Sequence, residues 1–209
     1  MLDFLLITSR KTKGGGVEIY PKFIIKKSSD LMIRGGDFYA IWVEERGLWS
    51  TDENDAIQLI DRELKKFHED HFNSDPDARV LYLWDSGSGM IDSWHKYCQK
   101  QMRDSFHMLD EKLIFSNTET SKTDYASKKL NYPLEKGDPV AWNKLMSTLY
   151  SVEEKEKIEW AIGSIVSGDS TKIQKFMVLY GAAGTGKSTV LNIIQQLFDG
   201  YYSVFDAKA

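Results

Sequence analysis

The sequence predicts an α/β chain in two parts: an α+β region over residues 1–145, then a segment over 146–209 that opens a parallel-sheet domain as strand, glycine loop, helix and strand. Three observations carry this. Short apolar runs alternate with helical patterns in the first part. A capped amphipathic helix feeds the second part. Finally, Gly181-Ala182-Ala183-Gly184-Thr185-Gly186-Lys187-Ser188-Thr189 spells G-x-x-x-x-G-K-[ST] between an apolar run and an amphipathic stretch.

Taken in order, residues 4–8 form a short apolar strand and residues 9–16 a flexible basic turn. Residues 17–26 alternate as a second strand, and Pro21, which lacks the ladder donor, places it at an edge or a bulge. Residues 38–43 and 47–49 flank Glu44-Glu45-Arg46 as a hairpin. Ser50 and Glu53 have capping-box spacing for a helix that buries Ala56, Ile57, Ile60, Leu64 and Phe67. After the polar loop 73–77 comes the apolar run 80–84. The loop 86–89 then leads into a helix with Ile91, Trp94, Cys98 and Met102 on one face. Residues 115–140 read as mostly loop, anchored by Phe115, Tyr125, Leu130 and Tyr132. Ser151 and Glu154 make another capping box, for a helix striped with Ile158, Ala161, Ile162, Ile165 and Val166 and ended by Gly168-Asp169.

In the second part, residues 175–180 are apolar enough for a strand buried on both faces. Val190, Leu191, Ile193, Ile194, Leu197 and Phe198 share one helical face, and Gly200 stops it. The loop between them has the composition a phosphate cradle needs. Gly181, Gly184 and Gly186 reach backbone conformations closed to other residues, which lets successive N–H groups gather around phosphate oxygens. The helix that follows adds its positive dipole end. Lys187 is placed to reach the β- and γ-phosphates of ATP, and the Ser188 hydroxyl to ligate Mg²⁺. Residues 201–205 read as a further strand. Asp206, which follows it, comes early for the second acid that phosphoryl transfer requires.

Composition excludes several classes. Hydrophobic residues at 42% supply a real core, and a net charge of −4 argues against a chain that binds polyanions over its whole surface. A single cysteine, Cys98, rules out an internal disulfide framework and a cysteine zinc site. No run is long enough to span a membrane and no secretory leader pattern opens the chain, so a cytoplasmic protein is expected.

Other constellations read as structural. His68 and His71 end a helix at i, i+3 without a third strong ligand, the pattern of a solvated face. Arg10, Lys11, Lys13, Lys22, Lys26 and Lys27, and Lys128-Lys129 beside Tyr125 and Tyr132, have the composition of phosphate contacts but also of an ordinary soluble surface. Trp42, Trp49, Trp84, Trp94 and Trp160 all sit where packing is expected.

Read together, the hairpin Phe38-Tyr39-Ala40-Ile41-Trp42 with Gly47-Leu48-Trp49, then Phe115-Ser116-Asn117, Asp124-Tyr125-Ala126-Ser127-Lys128-Lys129-Leu130-Asn131-Tyr132, Glu159-Trp160-Ala161-Ile162-Gly163 and the glycine loop form a distinctive order. It resembles the phage/plasmid and poxvirus-type primase–helicases, whose motor is a superfamily 3 helicase of the AAA+ class. The resemblance implies a pre-helicase linker domain over 1–145 and the opening of the AAA+ motor over 146–209. It also implies ATP and Mg²⁺ held by residues 181–189, assembly into a ring, usually hexameric, and single-stranded DNA as partner. The family's Walker B acids, sensor and arginine finger have no counterpart before Ala209, nor is its upstream primase found. The segment is therefore expected to be truncated and to hydrolyse ATP very slowly. Two other readings stand beside this one: a non-catalytic DNA-binding or loading module, and a small P-loop kinase, for which no arginine-rich lid follows the loop.

Overall fold

The computed structural model describes residues 2–24, 26–34, 38–85, 87–100, 107–168 and 170–204. Ser86, Met102, Asp169, Phe205 and Asp206, named above, lie outside the described residues. The chain is mixed α/β and divides into two compact units. One comprises Met1–Leu109 with Thr120–Ser127, the other Asp110–Glu119 with Lys128–Ala209. The 145/146 division drawn from sequence falls inside the second unit, within a helix.

The first unit runs β1 (Leu5–Lys11), β2 (Val17–Phe23), β3 (Leu31–Arg34), β4 (Phe38–Val43), β5 (Leu48–Ser50), α1 (Glu53–Phe72), β6 (Ala78–Val80) and α2 (Met90–Lys100). β1 pairs antiparallel with β2, and β6 joins β2 in parallel. β3, β4 and β5 form a separate antiparallel sheet. The expected hairpin is β4–β5, with Trp42 opposite Trp49. β6 pairs only with Val17–Ile19, so β2 is an edge at Pro21, where a missing N–H costs no ladder bond. The apolar run 80–84 is a strand only at its first residue. Beyond it Leu81 and Leu83 turn inward and are buried.

The core of this unit gathers Phe4, Ile19, Ile33, Ile41, Ile60, Leu64 and Trp94. α1 contributes Ala56, Ile57, Ile60 and Leu64, the expected face. Its cap differs from the expected Ser50–Glu53 box. Asp52 is the N-cap and accepts from Asn54 N, because Ser50 is still in β5 and donates its hydroxyl to Asp55 instead. Trp42, Trp49 and Trp94 are buried as expected, whereas Trp84 is 74% and Trp160 53% exposed, which corrects the packing role assigned to those two. Trp84 follows a strand too short to carry it inward, and Trp160 lies off the buried stripe of its helix.

The second unit contains α3 (Val140–Leu149), α4 (Val152–Val166), a single turn α5 (Ser170–Ile173) and α6 (Lys187–Leu197). α4 opens with the expected capping box, in which Ser151 Oγ accepts from Glu154 N and the Glu154 carboxylate accepts from Ser151 N. Of its stripe, Ile158 is buried and Ile165 and Val166 are exposed. α3 and α4 are tied by Trp142 Nε1 donating to Glu159 Oε1 at 2.7 Å and Lys155 Nζ to Asn143 Oδ1 at 2.6 Å. Their core of Met146 and Ile158 is completed by Val190 from α6. Residues 115–119 and 128–139 are irregular, as expected, with Phe115 and Leu130 as buried anchors.

The strands expected on either side of the glycine loop and its helix do not form. Residues 174–180 and 202–204 belong to no sheet, and Phe176, Val178 and Tyr180 are 89%, 68% and 98% exposed. The physical reason is the absence of a neighbour: a strand buried on both faces needs ladders on both edges, and among the described residues of this unit there is no strand to supply them.

Candidate phosphate-binding site

Between Tyr180 and α6 the backbone does what the glycine spacing requires. Gly181, Gly184 and Gly186 adopt φ of 152°, 80° and 77°. Gly186 is the N-cap of α6 at φ 77°, ψ 3°, a left-handed position that a side chain would strain. It is also crowded. A β-carbon there would lie 2.7 Å from Leu149 Cδ1 at the end of α3. A β-carbon on Gly181 would touch Thr185 Oγ1 at 3.4 Å. The loop is thus closed against a side chain at Gly186, meets only ordinary contact at Gly181, and is open at Gly184, where nothing lies within 4 Å.

Lys187 curls back over the loop. Its ammonium donates to Gly181 O at 2.9 Å, Ala182 O at 2.6 Å and Thr185 Oγ1 at 3.1 Å, while Thr185 Oγ1 donates to Ala182 O at 3.0 Å. The ammonium therefore sits over the mouth of the loop, supported by carbonyls, not by a carboxylate. α6 starts with no side-chain cap and no acidic residue in its first turn, so its positive end is not neutralised by its own sequence. Ser188 and Thr189 are exposed in that turn, as are residues 181–185.

The expected residues 181–189 are brought together as one loop and helix start. Their anchor is Val190, fully buried against Met146 and Ile158. Leu149, which backs Gly186, is absent from the sequence-based site. Its signal was available in the spacing of Trp142, Leu145, Met146 and Leu149, a helical stripe at i, i+3, i+4, i+7. Among the described residues no cluster of three His, Cys, Asp or Glu side chains could hold a metal. His71 instead stacks on Phe67 at 4.4 Å and bonds Phe67 O through Nδ1 at 3.0 Å. Among the described residues no helix is long and apolar enough to cross a membrane.

The loop's donors suit an anion of several oxygens: unneutralised helix N–H groups, a lysine ammonium and hydroxyls at Ser188 and Thr189. Comparison with known protein families, curated proteins and solved structures yields no match.

Proposed function

We propose that this chain binds ATP with Mg²⁺ through residues 181–189 and serves as the nucleotide-binding part of a ring-forming DNA helicase of the phage/plasmid and poxvirus type. The observation that supports nucleotide binding is the loop itself: three positive-φ glycines, an uncapped helix start and Lys187 held over the opening. The helicase assignment rests on the order of upstream motifs in the sequence.

In this reading the N–H groups of 184–188 and the Lys187 ammonium bind and orient phosphate oxygens, and Ser188 Oγ is the protein's ligand to Mg²⁺. Mg²⁺ supplies charge neutralisation between phosphates. On binding, Lys187 exchanges its carbonyl partners at Gly181 and Ala182 for phosphate oxygens, so part of its attraction to the ligand offsets bonds already made. Transfer of phosphate to water also needs an acid for Mg²⁺ and a group to orient the water, and residues 181–189 supply no acid.

The test is titration with a fluorescent ATP analogue, with and without Mg²⁺. Lys187→Ala should weaken binding by roughly 10–100-fold, the range for losing a charged hydrogen bond. Ser188→Ala should remove most of the Mg²⁺ dependence. Equal affinity in wild type and Lys187→Ala would rule out the loop as the site. Sedimentation with ATP and Mg²⁺ tests ring assembly separately. Phosphate transfer to nucleosides or nucleotides would favour the kinase reading instead.

A further inference from the structure

The first unit carries a cationic cleft that the loop chemistry does not use. It lies along β2 and the exposed side of α2, encloses about 510 Å³, and is lined by Arg10, Tyr20, Lys22, Phe23, Lys96 and Lys100 among others. None of its lining residues is acidic. In a chain of net charge −4 this local excess is the reverse of the average.

We infer that this cleft binds single-stranded nucleic acid, with lysines on the phosphates and Tyr20 as a stacking surface for an unpaired base. Two elements supply the charge independently. Lys96 and Lys100 stand one turn apart on α2, with Ser93 one turn before Lys96, so the helix presents a polar stripe to one side. From the sheet come Lys22 and Arg10, whose charged ends lie 5.7 Å and 5.3 Å from the centre of the Tyr20 ring. Arg10 also pairs with Glu18 at 2.8 Å, which fixes it beside the ring. Lys22, Lys96 and Lys100 are exposed.

Arg10 and Lys22 lie over the Tyr20 ring, and a nucleotide would take their place on it, its base meeting the ring as the cations turn to its phosphates. The cleft is sized for one or two nucleotides, not for the width of a duplex, and a paired base has no free face to offer Tyr20. The inference stands on the charge and ring geometry of the first unit. It holds whether or not residues 181–189 bind ATP.

The experiment uses the whole chain carrying Lys187→Ala, which silences the loop, and measures anisotropy of a labelled twenty-nucleotide oligo-dT over a range of salt. The triple reversal Lys22→Glu/Lys96→Glu/Lys100→Glu should weaken binding at least tenfold and reduce the log–log salt slope by about 2, since each phosphate contact on a single strand contributes about 0.7. Tyr20→Ala should weaken binding several-fold with the slope unchanged. The control reversal Lys65→Glu/Lys66→Glu/Lys144→Glu makes the same change in net charge at exposed positions outside the cleft and should leave affinity within twofold. Circular dichroism confirms that each variant is folded. An equal loss in the control, no oligo-dT binding, or preference for duplex DNA or phosphatidylserine vesicles would each overturn the inference.

Discussion

Replacing Gly186 by alanine tests whether the glycine loop is set by the packing of α6 against α3. Two costs are expected. Alanine in the left-handed conformation at φ 77° costs roughly 1–2 kcal/mol. Its β-carbon would also lie 2.7, 2.9 and 3.2 Å from Cδ1, Cδ2 and Cγ of Leu149, so the whole isobutyl group must move. Overpacking of this kind adds about 1–3 kcal/mol. Gly184→Ala is the matched reference, since Gly184 has φ 80° with nothing within 4 Å of an added β-carbon and carries the conformational cost alone. Amide hydrogen exchange read by mass spectrometry over 140–149 and 187–197 reports this unit without requiring the whole chain to unfold in one step. Exchange in Gly186→Ala should exceed that in Gly184→Ala by roughly 5–150-fold, the conversion of 1–3 kcal/mol. Adding Leu149→Ala to Gly186→Ala should recover part of the loss, giving a coupling of at least about 1 kcal/mol in the double-mutant cycle. Equal exchange in the two glycine variants, with no coupling to Leu149, would refute the packing argument.

Val190→Ala removes the α6 anchor, which is fully buried, and should destabilise the helix by about 2 kcal/mol in the same exchange measurement; an effect below about 0.5 kcal/mol would show that α6 is held elsewhere. Burial pushes the Asp61 carboxyl above the ordinary aspartate range, against the opposing N–H groups of Leu83 and Trp84. A carboxyl with a raised folded value contributes stability below its unfolded value that is lost as pH rises through the folded one. Stability should therefore fall from about pH 4 upward over that titration. Asp61→Asn should flatten this segment of a urea-midpoint-versus-pH curve, and an unchanged slope would exclude Asp61 as its source. Burial, with Glu53 nearby, pushes the Cys98 thiol up to about 12. Alkylation of the folded protein at pH 8.5 should then be about a thousandfold slower than in denaturant, on thiolate fraction alone; comparable rates would contradict the burial of Cys98.

Patterns that close locally were legible in the sequence. Ser151 and Glu154 satisfy each other within one turn, and the α1 face follows from spacing alone. The loop 181–187 is equally local: Lys187 bonds Gly181 O and Ala182 O, and Thr185 bonds Ala182 O. What failed depended on neighbours or on competition. At the start of α1, Ser50 and Asp52 both carry capping oxygens, and only the extent of β5 decides between them. α3 was hidden because a proline stands at its N-cap and the capping oxygen comes from one residue earlier, where the Asp138 carboxylate accepts from Val140 N. Residues 175–180 have the composition of a buried strand, but composition does not provide the ladder partners that make one.

That last difference bears on how the candidate site is held. A phosphate cradle has two supports, the strand that enters it and the helix that leaves it. Here the leaving side is fixed: Val190 is buried, Gly186 rests against Leu149, and α3 is bound to α4 by Trp142 and Lys155. The entering side is not fixed by a sheet, and Tyr180, next to Gly181, is 98% exposed. The bonds from Lys187 to Gly181 O and Ala182 O therefore do the work a strand would do, drawing the entering segment back to the helix start. Lysine in this arrangement has two competing roles, closing the loop and meeting the phosphates. Removing it should loosen the loop as well as weaken the ligand. Lys187→Ala should then raise exchange at 181–186 even without nucleotide, whereas Ser188→Ala should not. If both variants leave the nucleotide-free loop unchanged, the glycines and α6 hold its shape without the lysine.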